Sequence, residues 1–177
     1  MRNFILGIIF TLVVLALGAV CYTRLGLVNV QADQPPSSLE RWFLGGASDA
    51  AVERNAPNIK NPVPATEENV VAGAQLYAND CEGCHGTPSD PNIPFSHSLN
   101  PPAPRFFVHA PDMPENQNFY IAKHGLRWTG MPAWGKTLSD QQIWQIVTFL
   151  SNVEKLPPAA KKVLEPSSTP PSGPPAR

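Results

Sequence analysis

Two cysteines and a histidine stand together in "NDCEGCHGTP", residues Asn79 to Pro88. Cys81 and Cys84 are three apart and His85 follows directly. Thiols and an imidazole at that spacing serve a zinc site, a dithiol redox pair, a disulfide or a covalently held haem. A structural zinc site needs four ligands. His97 follows at a finger-like distance, but His109 lies too far beyond it, and Cys21 sits in an apolar run. A thioredoxin-like dithiol opens a helix after a strand, whereas this motif closes a helical pattern. A plain disulfide leaves the histidine unexplained. A haem uses all three residues: thiols one helical turn apart reach the two vinyl groups on one porphyrin edge, and His85 ligates the iron.

The elements around the motif are helical. "TEENVVAGAQLYANDC" has Thr66 as a cap, Glu67 and Glu68 in the first turn, and an apolar stripe at Val70, Gly73, Ala74 and Tyr77 that leads into Cys81. Prolines crowd 87–114, so the spacing predicts a long loop without a central strand. A short helix follows, ending at Gly125, and "RWTGMPAWGKT" reads as turns. "SDQQIWQIVTFLSNV" is a helix capped by Ser139, with Ile143, Ile146, Val147 and Leu150 on its apolar face. Such a thin core needs a large apolar partner, which a haem supplies.

The flanks differ. Residues 4–22 carry no charge, and at about 1.5 Å per residue they reach roughly 28 Å, close to one hydrocarbon core. An uncleaved anchor is favoured over a cleaved leader, although "VQAD" at 30–33 offers a cleavage site. Val20 before Cys21 disfavours lipid attachment, so Cys21 reads as a small apolar residue facing lipid. Either reading exports the remainder. A short amphipathic helix over 39–56, with Leu39, Trp42, Phe43 and Val52, lies in the following linker. The C-terminal stretch is rich in the chain's 21 prolines and reads as disordered. The divisions expected are a transmembrane anchor or signal segment at 1–25, a linker at 26–64, a folded domain at 65–156 and a disordered tail at 157–177. A net charge of −1 with no basic patch argues against nucleic acid.

Asn79 to Pro88 together with "TGMPAWG" resembles the class I c-type cytochromes. Gly73 and Tyr77 stand at the family's glycine and aromatic positions before the first cysteine. The resemblance covers about 65–156 and implies a small all-α cytochrome c fold, three or more helices around one covalently bound c-type haem. It implies that the last helix crosses the first at Gly73, with Ile146 and Phe149 or Trp144 in contact. Cys81, Cys84, His85 and Met131 would bind the cofactor, with His85 and Met131 as the iron ligands. Met131 is preferred to Met113 because it sits late in the domain between Gly130 and Pro132, and His97, His109 and His124 are weaker competitors. A proline carbonyl in "LNPPAP" would hold the His85 imidazole, from Pro101, Pro102 or Pro104, with Pro102 preferred. Arg105, Arg127, Trp128 and Trp134 are candidates for the haem surroundings, although core packing serves the tryptophans as well.

The function expected is a one-electron carrier without catalytic residues or a small-molecule substrate. It would work in a respiratory chain or as a subunit of a membrane oxidoreductase complex. Its partners would be membrane-bound or periplasmic redox proteins, and its place a bacterial-type inner membrane, single-pass, with the haem domain on the periplasmic side. The alternative is a haem-based sensor or peroxide-handling enzyme with a displaceable sixth ligand.

Overall fold

The computed structural model describes residues 1–165. These residues are helical with irregular connections, and no strand occurs among them. The chain divides into two compact units, one of 1–34 and the other beginning at Pro35.

The first unit is built on one helix, α1, Arg2–Arg24, none of whose residues is buried. Its two threonine hydroxyls bond to their own helix: Thr11 Oγ1 donates to the Gly7 carbonyl at 3.0 Å and Thr23 Oγ1 to the Val20 carbonyl at 2.8 Å. A helix so apolar, with both threonine hydroxyls satisfied internally, has the length and composition to cross a bilayer.

The second unit opens with a helical stretch capped by Ser37, whose hydroxyl accepts the Glu40 N–H at 3.1 Å. It comprises α2 (Ser38–Glu40), a π-helical turn (Arg41–Gly45) and α3 (Gly46–Asn55). Val52 of α3 is only 2 % exposed, and α3 packs on α6 (Glu115–His124). The amphipathic helix of the linker is thus docked on the folded unit. The strap after it is tied down by Thr148, whose hydroxyl accepts from Asn61 Nδ2 at 2.9 Å and donates to the Trp144 carbonyl at 2.9 Å.

The core is made by three helices, α4 (Glu67–Asp80), α6 and α7 (Asp140–Leu150). The residues that α4 buries are Val70, Gly73, Ala74 and Tyr77, the stripe expected from spacing. α7 starts in a complete capping box between Ser139 and Gln142 and is buried on two sides. Ile146, Phe149 and Leu150 pack with α4, while Ile143, Trp144 and Val147 join Phe119 of α6. Trp144 therefore belongs to the second side, where its ring stacks on Phe119 at 4.1 Å. The α4–α7 crossing is set at Gly73: a Cβ there would lie 2.1 Å from the Gln145 carbonyl oxygen and 2.7 Å from Phe149 Cβ.

The C-terminal stretch departs from expectation. Instead of disorder from 157 onward, Pro158–Val163 forms α8, and Ala160 and Leu164 are buried with Leu156 against α4. Pro157 and Pro158 sit at the helix start, where the missing N–H costs nothing, so proline here opens a helix rather than preventing one. Residues 166–177, the remainder of the expected tail, lie outside the described residues.

Gly73→Ala is predicted to destabilise the folded protein by about 3 kcal/mol, because the new methyl meets backbone that cannot swing aside. Urea unfolding of the two proteins measures this directly, and equal midpoints would disprove the tight crossing.

Candidate functional site

α4 delivers the motif. Cys81 ends the helix, its N–H bonded to the Tyr77 carbonyl at 2.8 Å. The Cys81 carbonyl then accepts the N–H groups of Cys84 (3.1 Å) and His85 (3.0 Å), which winds the motif into a single further turn, α5 (Glu82–His85). Gly86 stops that turn with φ +79°, and a Cβ there would lie 2.8 Å from the Asp90 carbonyl oxygen. Only glycine meets both conditions without strain.

Tyr77 braces the turn from beneath. Its hydroxyl donates to the Gly86 carbonyl at 2.7 Å, and its ring packs against Phe149 at 5.0 Å and edge-on to Phe107 at 5.8 Å. Burial pushes the phenol far above its ordinary value, so it remains a neutral donor.

The His85 ring is 9 % exposed. Its Nδ1 lies 2.7 Å from the Pro104 carbonyl oxygen. A carbonyl only accepts, so the ring donates through Nδ1, and Nε2 keeps its lone pair for a metal. The carbonyl thereby fixes both tautomer and ring direction, as partners of metal-bound histidines do. Burial lowers the His85 pKa and outweighs the opposing effect of the Pro104 bond, which keeps the imidazole neutral and able to ligate. Phe106 stacks on the same ring at 4.5 Å with planes 16° apart.

Pro104 replaces Pro102 as the carbonyl that holds His85. Which proline faces the ring depends on the path of the loop, and that path is set by Phe106 on His85 and Phe107 in the core. Neither phenylalanine was singled out from the sequence. Two aromatic residues directly after a proline run were the available signal.

Cys81 is a poor candidate for a reactive redox thiol. Burial, reinforced by the nearby Asp80 and Cys84 charges, pushes the Cys81 thiol up to about 12, whereas reactive dithiols carry a lowered value. The two thiols are not joined as a disulfide. Among the described residues no cluster of three or more His, Cys, Asp and Glu side chains could hold a metal ion, which removes the zinc reading. Two unpaired thiols on one turn beside a histidine with one free nitrogen fit a thioether-bound haem.

Met131 lies on a separate loop whose backbone is locked at several points. Its N–H donates to Thr129 Oγ1 at 3.1 Å, that hydroxyl donates to the Leu126 carbonyl at 2.9 Å, and the Met131 carbonyl accepts the Leu126 N–H at 3.3 Å. Gly125, with φ +67°, lets the Met131 carbonyl approach to where a Cβ would be 2.7 Å away. Next door, Gly130 presses on Leu99, so this loop meets the proline loop that holds His85.

The other candidates are placed elsewhere. His97, His109 and His124 are exposed, and His124 packs its ring on Tyr120 at 4.7 Å. Met113 is half-buried, with its carbonyl bonded to Asn118 before α6. Arg105 bonds to Asn92 within the proline loop, Arg127 and Trp128 are exposed, and Trp134 is half-buried in a short 3-10 turn.

An all-helical fold whose first core helix ends in a Cys-x-x-Cys-His turn, crossed at a glycine by the last core helix, defines a class I c-type cytochrome domain. Residues 68–150 match the family described as cytochrome C oxidase, cbb3-type, subunit III, and the domain they form belongs to that c-type cytochrome family. No curated protein and no solved structure gives a significant match. The matched segment runs from the first turn of α4 to the end of α7, so α1, α2, α3 and α8 lie outside it.

Thr129→Val is predicted to unlock the Met131 loop. Removing a hydroxyl that bonds at both ends is worth about 1 kcal/mol, which is roughly a fivefold loss of hydrogen-exchange protection at the Met131 amide. An unchanged exchange rate would show that the hydroxyl does not hold the loop.

Proposed function

We propose that this chain is a membrane-anchored one-electron carrier with a single haem bound covalently through Cys81 and Cys84. His85 is the proximal iron ligand and Met131 the distal one. The observation that carries the reading is the His85–Pro104 bond, which occupies Nδ1 and leaves Nε2 of a buried, neutral imidazole free to ligate a metal, within a cytochrome c domain. When bound, the haem supplies an iron couple that accepts and returns one electron.

The chain's own residues do the rest. Tyr77 and Gly86 hold the motif turn in place, and Pro104 and Phe106 keep the His85 ring from rotating. The locked 126–131 loop presents a thioether as the second ligand. Methionine opposite histidine raises the reduction potential relative to two histidines, which suits the oxidising end of a respiratory chain. With His85 and Met131 both held as ligands, these residues would leave no iron position for a substrate, and catalysis would fall to a partner.

The haem domain spans 65–165, α1 anchors it, and its side of the membrane is the periplasmic one. The domain's family is described by a subunit of a cbb3-type oxidase, which favours a membrane redox complex as partner. Tethering by α1 would raise the effective concentration of the domain near such a complex.

Met131→Ala is predicted to abolish the near-infrared band of methionine-ligated ferric haem and to leave high-spin iron, while Met113→Ala changes neither. Spectra of the two purified variants decide this. A Met131→Ala spectrum identical to wild type would remove Met131 from the site and reopen the sensor or peroxide reading.

A further inference from the structure

The helical stretch that begins at Ser38 has two apolar faces, and the fold uses only one. Leu44, Ser48 and Val52 recur every four residues and are half-buried or buried, and α3, which carries Ser48 and Val52, packs on α6. Leu39, Trp42 and Phe43 lie on the opposite side and are 72 %, 74 % and 64 % exposed. The π-helical turn Arg41–Gly45 holds the change of face, with Trp42 and Phe43 exposed and Leu44 half-buried, and its wider winding shifts the phase of the helix. The other large apolar residues exposed in the second unit, Ile59, Phe95, Val108 and Trp128, stand singly in the sequence. Three within five residues form a patch of the kind that marks an interaction surface.

The chain itself indicates what covers it. α1 ends at Arg24, and α2 begins at Ser38. The connection spans at most about 45 Å when fully extended, so the patch is tethered within reach of any bilayer that α1 crosses. Tryptophan and phenylalanine beside an arginine suit the membrane–water boundary, where the rings sit among headgroups and the cation stays at the phosphates. Arg41 is exposed between Leu39 and Trp42, and its guanidinium donates to the Pro36 carbonyl at 3.3 Å.

We infer that Leu39, Trp42 and Phe43 insert into the interfacial layer of a phospholipid bilayer, making the start of this helix a second membrane contact. This rests on the anchored reading of α1 given above. The opposite face of the same helix is docked on the haem domain through Val52, so the contact limits how that domain tumbles at the membrane surface. A single flexible tether would not do this.

The test uses the full haem-loaded chain in phospholipid vesicles containing a lipid with a photoactivatable group near the headgroup end of its acyl chain. Trypsin cleavage after Arg2, Arg24, Arg41 and Arg54 places α1, Leu39 and the Trp42–Phe43 pair on three separate peptides for mass spectrometry. Lipid adducts are expected on the 3–24 peptide and at Leu39, Trp42 and Phe43, with none at Ile59, Phe95 or Trp128. Adducts on 3–24 alone would overturn the inference while leaving the anchor standing, and would assign the patch to a protein partner. Absence from 3–24 would overturn the anchor and the inference together. Equal labelling at Phe95 and Trp128 would show indiscriminate contact and overturn the inference as well.

Discussion

The close crossing of α4 and α7 at Gly73 is the constraint on which the rest of the domain depends. Without a side chain at this point, the Gln145 carbonyl and Phe149 approach the α4 backbone directly. That approach places Phe149 against Tyr77, and Tyr77 in turn holds the Gly86 carbonyl. A helix–helix contact thus fixes the turn that carries both cysteines and His85. Because α7 also packs on α6 through Phe119 and Trp144, the same helix links the motif side of the domain to the segment that leads into the Met131 loop. The methionine loop is then stiffened locally, by Thr129 and by the close approaches at Gly125 and Gly130.

The proline loop, which lacks regular structure beyond one short 3-10 turn, is held by few contacts of large effect. Phe107 enters the main core, Phe106 stacks on His85, and the Pro104 carbonyl binds Nδ1 of the same ring. Proline restricts the chain before folding, so ordering this segment costs less entropy than a flexible loop of equal length. The result is a polar bond to the imidazole in a largely apolar setting, where a single carbonyl determines which nitrogen keeps its lone pair.

Much of this was legible in the sequence, for a physical reason. The helical stripes of α4 and α7 obey a simple period, and Gly125, Ser139 and Thr66 mark helix ends through local chemistry alone. The motif residues are adjacent in the chain, so no long-range folding had to be inferred to group them. What was missed depends on tertiary context. Pro101, Pro102 and Pro104 offer equivalent carbonyls, and only the packing of Phe106 and Phe107 distinguishes among them. The stretch after Leu156 has the composition of a disordered segment, yet Ala160 and Leu164 find room beside α4 and make a helix worthwhile. Thr148 stands among the apolar residues of α7, and its tie to Asn61 joins segments far apart in the chain.

The elements outside the matched segment add to the domain's packing. α8 extends the core beside α4, and α3 covers part of α6 while leaving the residues before it exposed. The central claim remains that Cys81 and Cys84 are tethers and not redox thiols. Peptide mapping of the purified chain by mass spectrometry, with alkylation of any free thiol, tests it most directly. The peptide containing Cys81 and Cys84 is expected to carry the mass of one haem and to resist alkylation at both sulfurs. Recovery of that peptide without haem, alkylated at Cys81 and Cys84, from protein matured in a compartment that attaches haem would contradict it.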